Sequence, residues 1–540
     1  MEQTGLAGSS SLTIFWMLVA VAVVALVTKR IRLPYVVALV IAGLIIALFP
    51  GMPTIELTPD LILAVFLPLL VFEAAYNLQL PHLRENWRMI SALAIPGVLL
   101  TAGVVGVLVH FLAGFDWPIA LLFGAIVSAT DPVSVVSTFK ALGAPLKLRT
   151  IIEGESLFND GTSLVLFRVL LGVVIAGQFD VAAGVAQFAF VIAGGVLVGL
   201  ILGFLVSYLT ARFDDYLVET VLTLILAYGA YFLAEELHVS GVTAVVAAGL
   251  LVGNYGAGMS FSPTTQVSVS LSWEFFGFLA NSLIFLLVGL QVHLDVLAQS
   301  LWYVLAAIVA VLLSRIITVG GVSAIFRALR LPERAPPFSW QAVMVWGGLR
   351  GAVSLAMALS LPFTLSETAS SEGVAGAIGI PFPQRTEIIA MTFGVILFTL
   401  LVQGLTLTPL MKQLRMIPSE DQLKADYNRT LAQLRATQEA LATLTRQGSE
   451  RHSSLLVPGI TEELKAQYVA RERELVARLE EIDTHDGALR ENQRRSLQRY
   501  LLTVVRNTLR QLTSQGDIDA RALRDLMAEI DRNLADTADH

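Results

Sequence analysis

Cysteine is absent from this 540-residue chain, which excludes a disulfide framework, a thiolate metal site and a cysteine nucleophile. Charge is scarce as well. Only 15% of residues are charged against 55% hydrophobic, a balance too apolar for one large soluble domain. No basic segment precedes the first apolar run, Leu12 to Thr28, and Lys29-Arg30-Ile31-Arg32 follows it where a signal peptide would end in small residues. That run is therefore read as a retained helix. No HExxH helix or GxSxG elbow accompanies the carboxylates described below, which sets a membrane-embedded hydrolase aside.

What is present is a series of apolar runs from about residue 12 to about 412, each roughly 17 to 28 residues long. That length carries a helix across a ~30 Å hydrocarbon core, and barrel strands would be about half as long. Splitting the runs at polar or Pro/Gly breaks predicts about thirteen spans: 12–28, 34–49, 60–79, 89–112, 117–140, 150–176, 182–209, 215–236, 240–258, 268–291, 298–327, 338–362 and 387–412. The expected fold is an all-α polytopic membrane protein, with one extra N-terminal helix and two inverted six-helix repeats. No strong internal repeat in the sequence supports that division.

The loops alternate in charge. One set holds Lys29, Arg30 and Arg32, then Arg84 and Arg88, Lys140, Lys147 and Arg149, Arg212, Arg327, Arg330 and Arg334, and finally Lys412 and Arg415. The other holds Glu56, Asp60, Asp116, Asp180, Glu235, Glu236, Asp295, Glu367 and Glu372, with Arg385 as its single base. The positive-inside rule puts the first set in the cytoplasm, so the N-terminus is expected outside and the tail inside. The chain thus divides into a membrane domain, 1–415, and a charge-dense cytoplasmic helical domain, 416–540. In the tail Leu423, Tyr427, Leu434, Leu441 and Leu444 recur near helical spacing, with breaks expected near Gly448-Ser449, His452 to Pro458 and Asp483 to Gly487.

An ionisable side chain inside the bilayer costs several kcal/mol unless it faces a cavity or a partner, so intramembrane charges are functional candidates. They are Glu73, Asp131, Glu155, Asp160, Arg168, Arg315 and Arg350. In Glu155-Ser156-Leu157-Phe158-Asn159-Asp160, helical spacing sets Ser156 below Asp160 and Glu155 below Asn159, an oxygen stripe that Ser163 extends. One carboxylate among neutral oxygens suits a dehydrated alkali cation without the charge density a divalent ion prefers. A polar patch that only glues helices together would be served more cheaply by serine or asparagine than by Asp160.

Two spans should be broken. In Ser128-Ala129-Thr130-Asp131-Pro132, the proline removes a backbone donor and frees a carbonyl about one turn earlier. Backbone of that kind is tolerated at this depth only beside a cavity or inside protein. Trp346-Gly347-Gly348-Leu349-Arg350-Gly351-Ala352 is the counterpart, its three glycines each lowering helix stability by about 1 kcal/mol relative to alanine. A buried arginine needs a carboxylate, and Glu155 is the expected partner of Arg350. With Glu155 so neutralised, Asp160 is left to hold either a cation or a proton, since burial favours the protonated carboxyl and a bound cation the ionised one. Lysine is missing from the interior of every predicted span, which fits an electroneutral one-for-one exchange. Glu73 is read either as a ligand or gate of the same cavity or as a structural hydrogen-bonding group, and Arg168 and Arg315 are given no role.

The segments FLPLLVFEAAYNL at 66–78, SATDPVSVVS at 128–137, EGESLFNDGTSLVLF at 153–167 and WGGLRGAVSLAMALSLP at 346–362 occur in that order. With them, residues 12 to 412 resemble the cation/proton antiporter family of the NhaP proteins and the sodium/proton exchangers. The resemblance implies that Asn159-Asp160 is the paired ion-binding motif, with Asp160 carrying Na+ or the proton. It further implies that Thr130-Asp131 lies at the helix crossing, that Glu73 and Ser156 line the site, and that Glu155 and Arg350 form a buried ion pair. A homodimer, a moving core domain, alternating access and a cell-membrane location are implied too. The expected partners are Na+, or Li+ or K+, protons and the lipid bilayer, with no cofactor and no nucleic acid. A channel would show a continuous polar stripe or repeated filter motif, and neither is evident. A membrane sensor with the tail as output is the other alternative.

Overall fold

The computed structural model describes residues 3–31, 33–49, 57–177, 181–212, 215–256, 263–329, 335–364, 381–414, 416, 420–449 and 460–483. Of the loop charges named above, Arg32, Glu56, Asp180, Arg330, Arg334, Glu367, Glu372 and Arg415 lie outside them, as do the breaks expected at 452–458 and 484–487. The chain forms two units, Met1–Phe139 with Ala144–Met416, and Ile417–His540 with Lys140–Gly143. The described residues are helical apart from turns and an isolated bridge between Thr364 and Pro381.

In chain order the helices are α1 Gln3–Ile31, α2 Tyr35–Ala47, α3 Leu61–Asn77, α4 Leu80–Glu85, α5 Trp87–Ala94, α6 Pro96–Ala113 and α7 Trp117–Ile126. There follow α8 Val133–Leu142, α9 Leu146–Ala176, α10 Val181–Thr210, α11 Tyr216–Glu236, α12 Gly241–Leu251 and α13 Pro263–Leu290. The membrane unit ends with α14 Leu294–Gln299, α15 Leu301–Ala328, α16 Phe338–Trp346, α17 Ala352–Leu359 and α18 Arg385–Gln413. Among the described residues, seven helices are long and apolar enough to cross a membrane, counting α5 and α6 together as Trp87–Ala113.

Sequence punctuation explains the boundaries. Pro34 and Pro145 stand at the starts of α2 and α9, and Pro96 opens α6, where a missing N–H costs nothing. Asp215 accepts from the Leu217 N–H at 2.9 Å to cap α11, and Ser240 accepts from the Thr243 N–H at 3.3 Å to cap α12. The first turn of α3, Leu61–Phe66, is a wider π turn. Pro68 supplies no backbone donor in this stretch, and the Val65 carbonyl accepts from the Tyr228 hydroxyl of α11 at 2.8 Å.

Two groups of helices share the membrane unit. In one, α2 packs on α13, α3 on α12 and α13, and α10 and α11 on α12. In the other, α6 packs on α7 and α15, α5 and α7 on α9, and α15 on α18. Helix α9 also touches α3, α10 and α12, so it joins the two groups. Phe72 and Trp273 fill the first interior, and Phe123 and Leu122 the second. Outward faces stay apolar: Phe190, Leu197, Ile201 and Phe204 are exposed along α10, a surface whose natural surroundings are hydrocarbon.

The second unit contains α19 Glu420–Ser449 and α20 Ile460–Asp483, packed on one another. Leu434 and Leu475 are buried in it, and Gln438 Nε2 donates to Glu472 Oε1 at 2.9 Å.

Candidate ion-binding site

Both expected breaks are present, and they meet. Helix α7 stops at Ile126, residues 129–132 are non-helical, and α8 starts at Val133, whose N–H is accepted by Asp131 Oδ1 at 2.9 Å. Asp131 thus caps α8, with the donor-free Pro132 between them. Helix α16 ends at Trp346 and α17 begins at Ala352. The Asp131 N–H donates to the Leu349 carbonyl at 2.9 Å, which ties one break to the other. A Cβ on Gly351 would come within 2.6 Å of the Asp131 Cβ, so the crossing requires glycine there.

Two buried arginines serve the helix ends, and the ion pair is not the one expected. Glu155 pairs with Arg315 of α15: Arg315 Nη1 donates to Glu155 Oε1, and Nη2 to Oε2 at 3.3 Å. Arg315 Nη2 also donates to the Met344 carbonyl in the last turn of α16, at 3.0 Å. Arg350, fully buried, instead points Nη1 at the Ser128 and Ala129 carbonyls, 2.9 Å from each, just past the end of α7. The physical reason is that the first break leaves carbonyls without helical donors, and Arg350 satisfies them, while the end-on Arg315 fork occupies both Glu155 oxygens. Positive charge therefore stands at the C-terminal ends of α7 and α16, where helix dipoles favour it, and Asp131 at the N-terminus of α8. A lone arginine within apolar α15 needs an acid, and that was the available signal for Arg315. The Arg350 N–H donates to Thr399 Oγ1 at 3.2 Å, where α18 widens into a π turn at Thr399–Gln403.

Around the first break the oxygens converge. Asn159 Nδ2 donates to Thr130 Oγ1 at 2.7 Å, and Asn159 Oδ1 accepts from the Thr130 N–H at 3.3 Å. The Thr130 and Ser156 hydroxyl oxygens lie 2.9 Å apart. The Asn159 amide is thus spent on holding Thr130 to α9. Asp160, on the next position of α9, is half-buried, and among the described residues its carboxyl has no hydrogen-bond partner. Asp131 follows Thr130 in the first break, as Asp160 follows Asn159 on α9. Thr130, Asp131, Ser156, Asn159 and Asp160 are therefore brought together. Glu73 of α3 accepts from Asn77 Nδ2 at 3.0 Å and lies against Gly277 of α13.

A family model described as sodium/hydrogen exchanger, transmembrane, matches residues 17–413. The chain belongs to the sodium/hydrogen exchanger family. It is 42% identical over 418 residues, 77% of this chain and 76% of the relative, to the low-affinity Na(+)/H(+) antiporter NhaS1 of Synechocystis sp.. It is 36% identical over 513 residues to the Na(+)/H(+) antiporter ApNhaP of Aphanothece halophytica, 93% of this chain and 90% of that one, a match that extends into the tail. In fold it is similar to the sodium proton antiporter MjNhaP1 from Methanocaldococcus jannaschii, with TM-score 0.60 and 20% identity over 75% of this chain and 99% of that one. The family is one of ion antiporters, of the NhaP type, and this member is a multi-pass membrane protein.

Proposed function

We propose that the protein exchanges Na+ for a proton, one for one, through competition of the two ions for Asp160 during alternating access. The observation that carries this is the Asp160 carboxyl, which has no hydrogen-bond partner among the described residues and lies next to the Thr130–Ser156–Asn159 oxygen cluster. Na+ is preferred because the similar proteins are named for it. Li+ and K+ are alternative cargoes that the same assay separates.

Charge at the crossing supports electroneutrality. Arg315 and Arg350 bring two positive charges, and Glu155, Asp131 and Asp160 bring three negative ones when all are ionised. One Na+ or one proton makes the sum zero, so both loaded forms face the membrane potential alike. Around this site the protein would have thirteen crossings, one extra N-terminal helix and two inverted six-helix halves, with the N-terminus outside, the tail in the cytoplasm, and a homodimer in the cell membrane. Loop charge supports the orientation, and the dimer rests on family resemblance.

The test is 22Na+ uptake into proteoliposomes with wild type and Asp160→Asn, with and without a potassium/valinomycin clamp, and Li+ and K+ as competitors. Wild type is expected to exchange irrespective of voltage, and Asp160→Asn to be silent. Transport by the variant removes Asp160 from the mechanism; voltage-driven flux removes the one-for-one stoichiometry.

A further inference from the structure

Gly161 and Arg168 lie two turns apart on α9 and so share one face. Gly161 is where α9 touches α12: a Cβ there would come within 2.9 Å of Thr243 Cγ2. Arg168 reaches the same corner from further along, its Nη2 donating to both Glu235 oxygens at 3.0 and 2.8 Å. Glu235 lies in the last turn of α11, and its Oε1 also accepts from the N–H of Gly241, the first residue of α12, at 3.3 Å. Beyond Asp160, the helix that carries it therefore meets the other helix group at this corner through an apolar touch and an ion pair, and along α10, where Val169 lies against Gly184.

The pair differs in kind from Glu155–Arg315. There the side chains are 2% and 7% exposed, whereas Arg168 is 40% and Glu235 28% exposed. A buried pair resists separation, because each charge left alone stays out of water. Glu235 stands in the last turn of α11, at the end of a span, and a pair reached by water there separates readily, each charge being hydrated as it leaves. The apolar Gly161–Thr243 contact has no hydrogen bond to break. Both features suit a contact that opens and recloses.

We propose that the Arg168–Glu235 ion pair is the closure on the outer side of the ion site, made while Asp160 is shut off from that side and broken each time the site opens to it. The word outer rests on the orientation in the antiport reading above. Alternation needs two states close in energy, and a weak exposed pair biases their ratio without locking it. Removing either charge should raise the open fraction about threefold, the scale of an exposed pair.

Because the chain has no cysteine, Thr243→Cys supplies a single reporter in the closed corner. Its labelling by a membrane-impermeant maleimide applied from outside reads the open fraction. Glu235→Gln and Arg168→Gln are each expected to speed labelling about threefold, and the swapped pair Arg168→Glu/Glu235→Arg to return it towards the parent rate. As a second measurement, Arg168→Cys/Glu235→Cys joined by a reversible bis-methanethiosulfonate linker should stop exchange in proteoliposomes, and dithiothreitol should restore it. Labelling unchanged in both single variants, or full exchange by the linked protein, overturns the proposal. A parent protein that labels as expected and exchanges no Na+ overturns the antiport reading and leaves the closure standing.

Discussion

Replacing Arg315 by leucine should harm the fold more than any other single change at the crossing, and the structure gives the scale. The Glu155 and Arg315 side chains are 2% and 7% exposed and meet end-on. Removing one partner strands the other charge away from water, a loss of about 3–5 kcal/mol. Removing both, as Glu155→Leu/Arg315→Leu, leaves no stranded charge, so most of that loss should be recovered. The cycle of wild type, two single variants and the double variant therefore predicts a coupling of about 2 kcal/mol or more. Arg350 is bonded to the Ser128 and Ala129 carbonyls instead, and the matching cycle of Glu155 with Arg350 should give a clearly smaller coupling. Unfolding free energies in mixed SDS micelles supply all the corners. Additive losses for Glu155 and Arg315, or an equal coupling to Arg350, would refute the assignment of the pair.

Thr130→Val removes the oxygen that bonds Asn159 and Ser156, whereas Thr130→Ser keeps it; exchange should fall at least tenfold in the first and persist in the second, read as initial 22Na+ uptake. Asn159→Ala leaves the Thr130 N–H without its acceptor, at about 1–3 kcal/mol, so half-saturating Na+ should rise about tenfold while Asp160 remains in place. Competition of one proton with one cation makes half-saturating Na+ rise towards tenfold per pH unit on the acid side of the transport optimum. A slope of two, or none, would exclude a single shared carboxylate.

The breaks were legible because their causes are local: Pro132 cannot donate wherever it is placed, and three glycines within Gly347–Gly351 weaken any helix. The stripe of Ser156, Asn159 and Asp160 was legible for the same reason, since helical spacing within α9 fixes which residues are stacked. Pairing across helices was not. Arg315 and Arg350 are both mid-span arginines, and nothing in their neighbours along the chain says which faces Glu155. That depends on how α15 and the second break approach α9, and on carbonyls that only the first break sets free.

The π turn at Thr399–Gln403 is, in winding terms, one residue inserted into an otherwise regular α-helix. Deleting one residue of that turn would let α18 close into uniform α-helix while the faces on either side, with Ile388 and Met391 before it and Leu407 and Met411 after it, keep their directions. The change would be local: the widened turn that begins at Thr399, the acceptor of the Arg350 N–H, would close. Length variation in this helix is thus an adjustment screw for the second break, acting without disturbing the bundle around it.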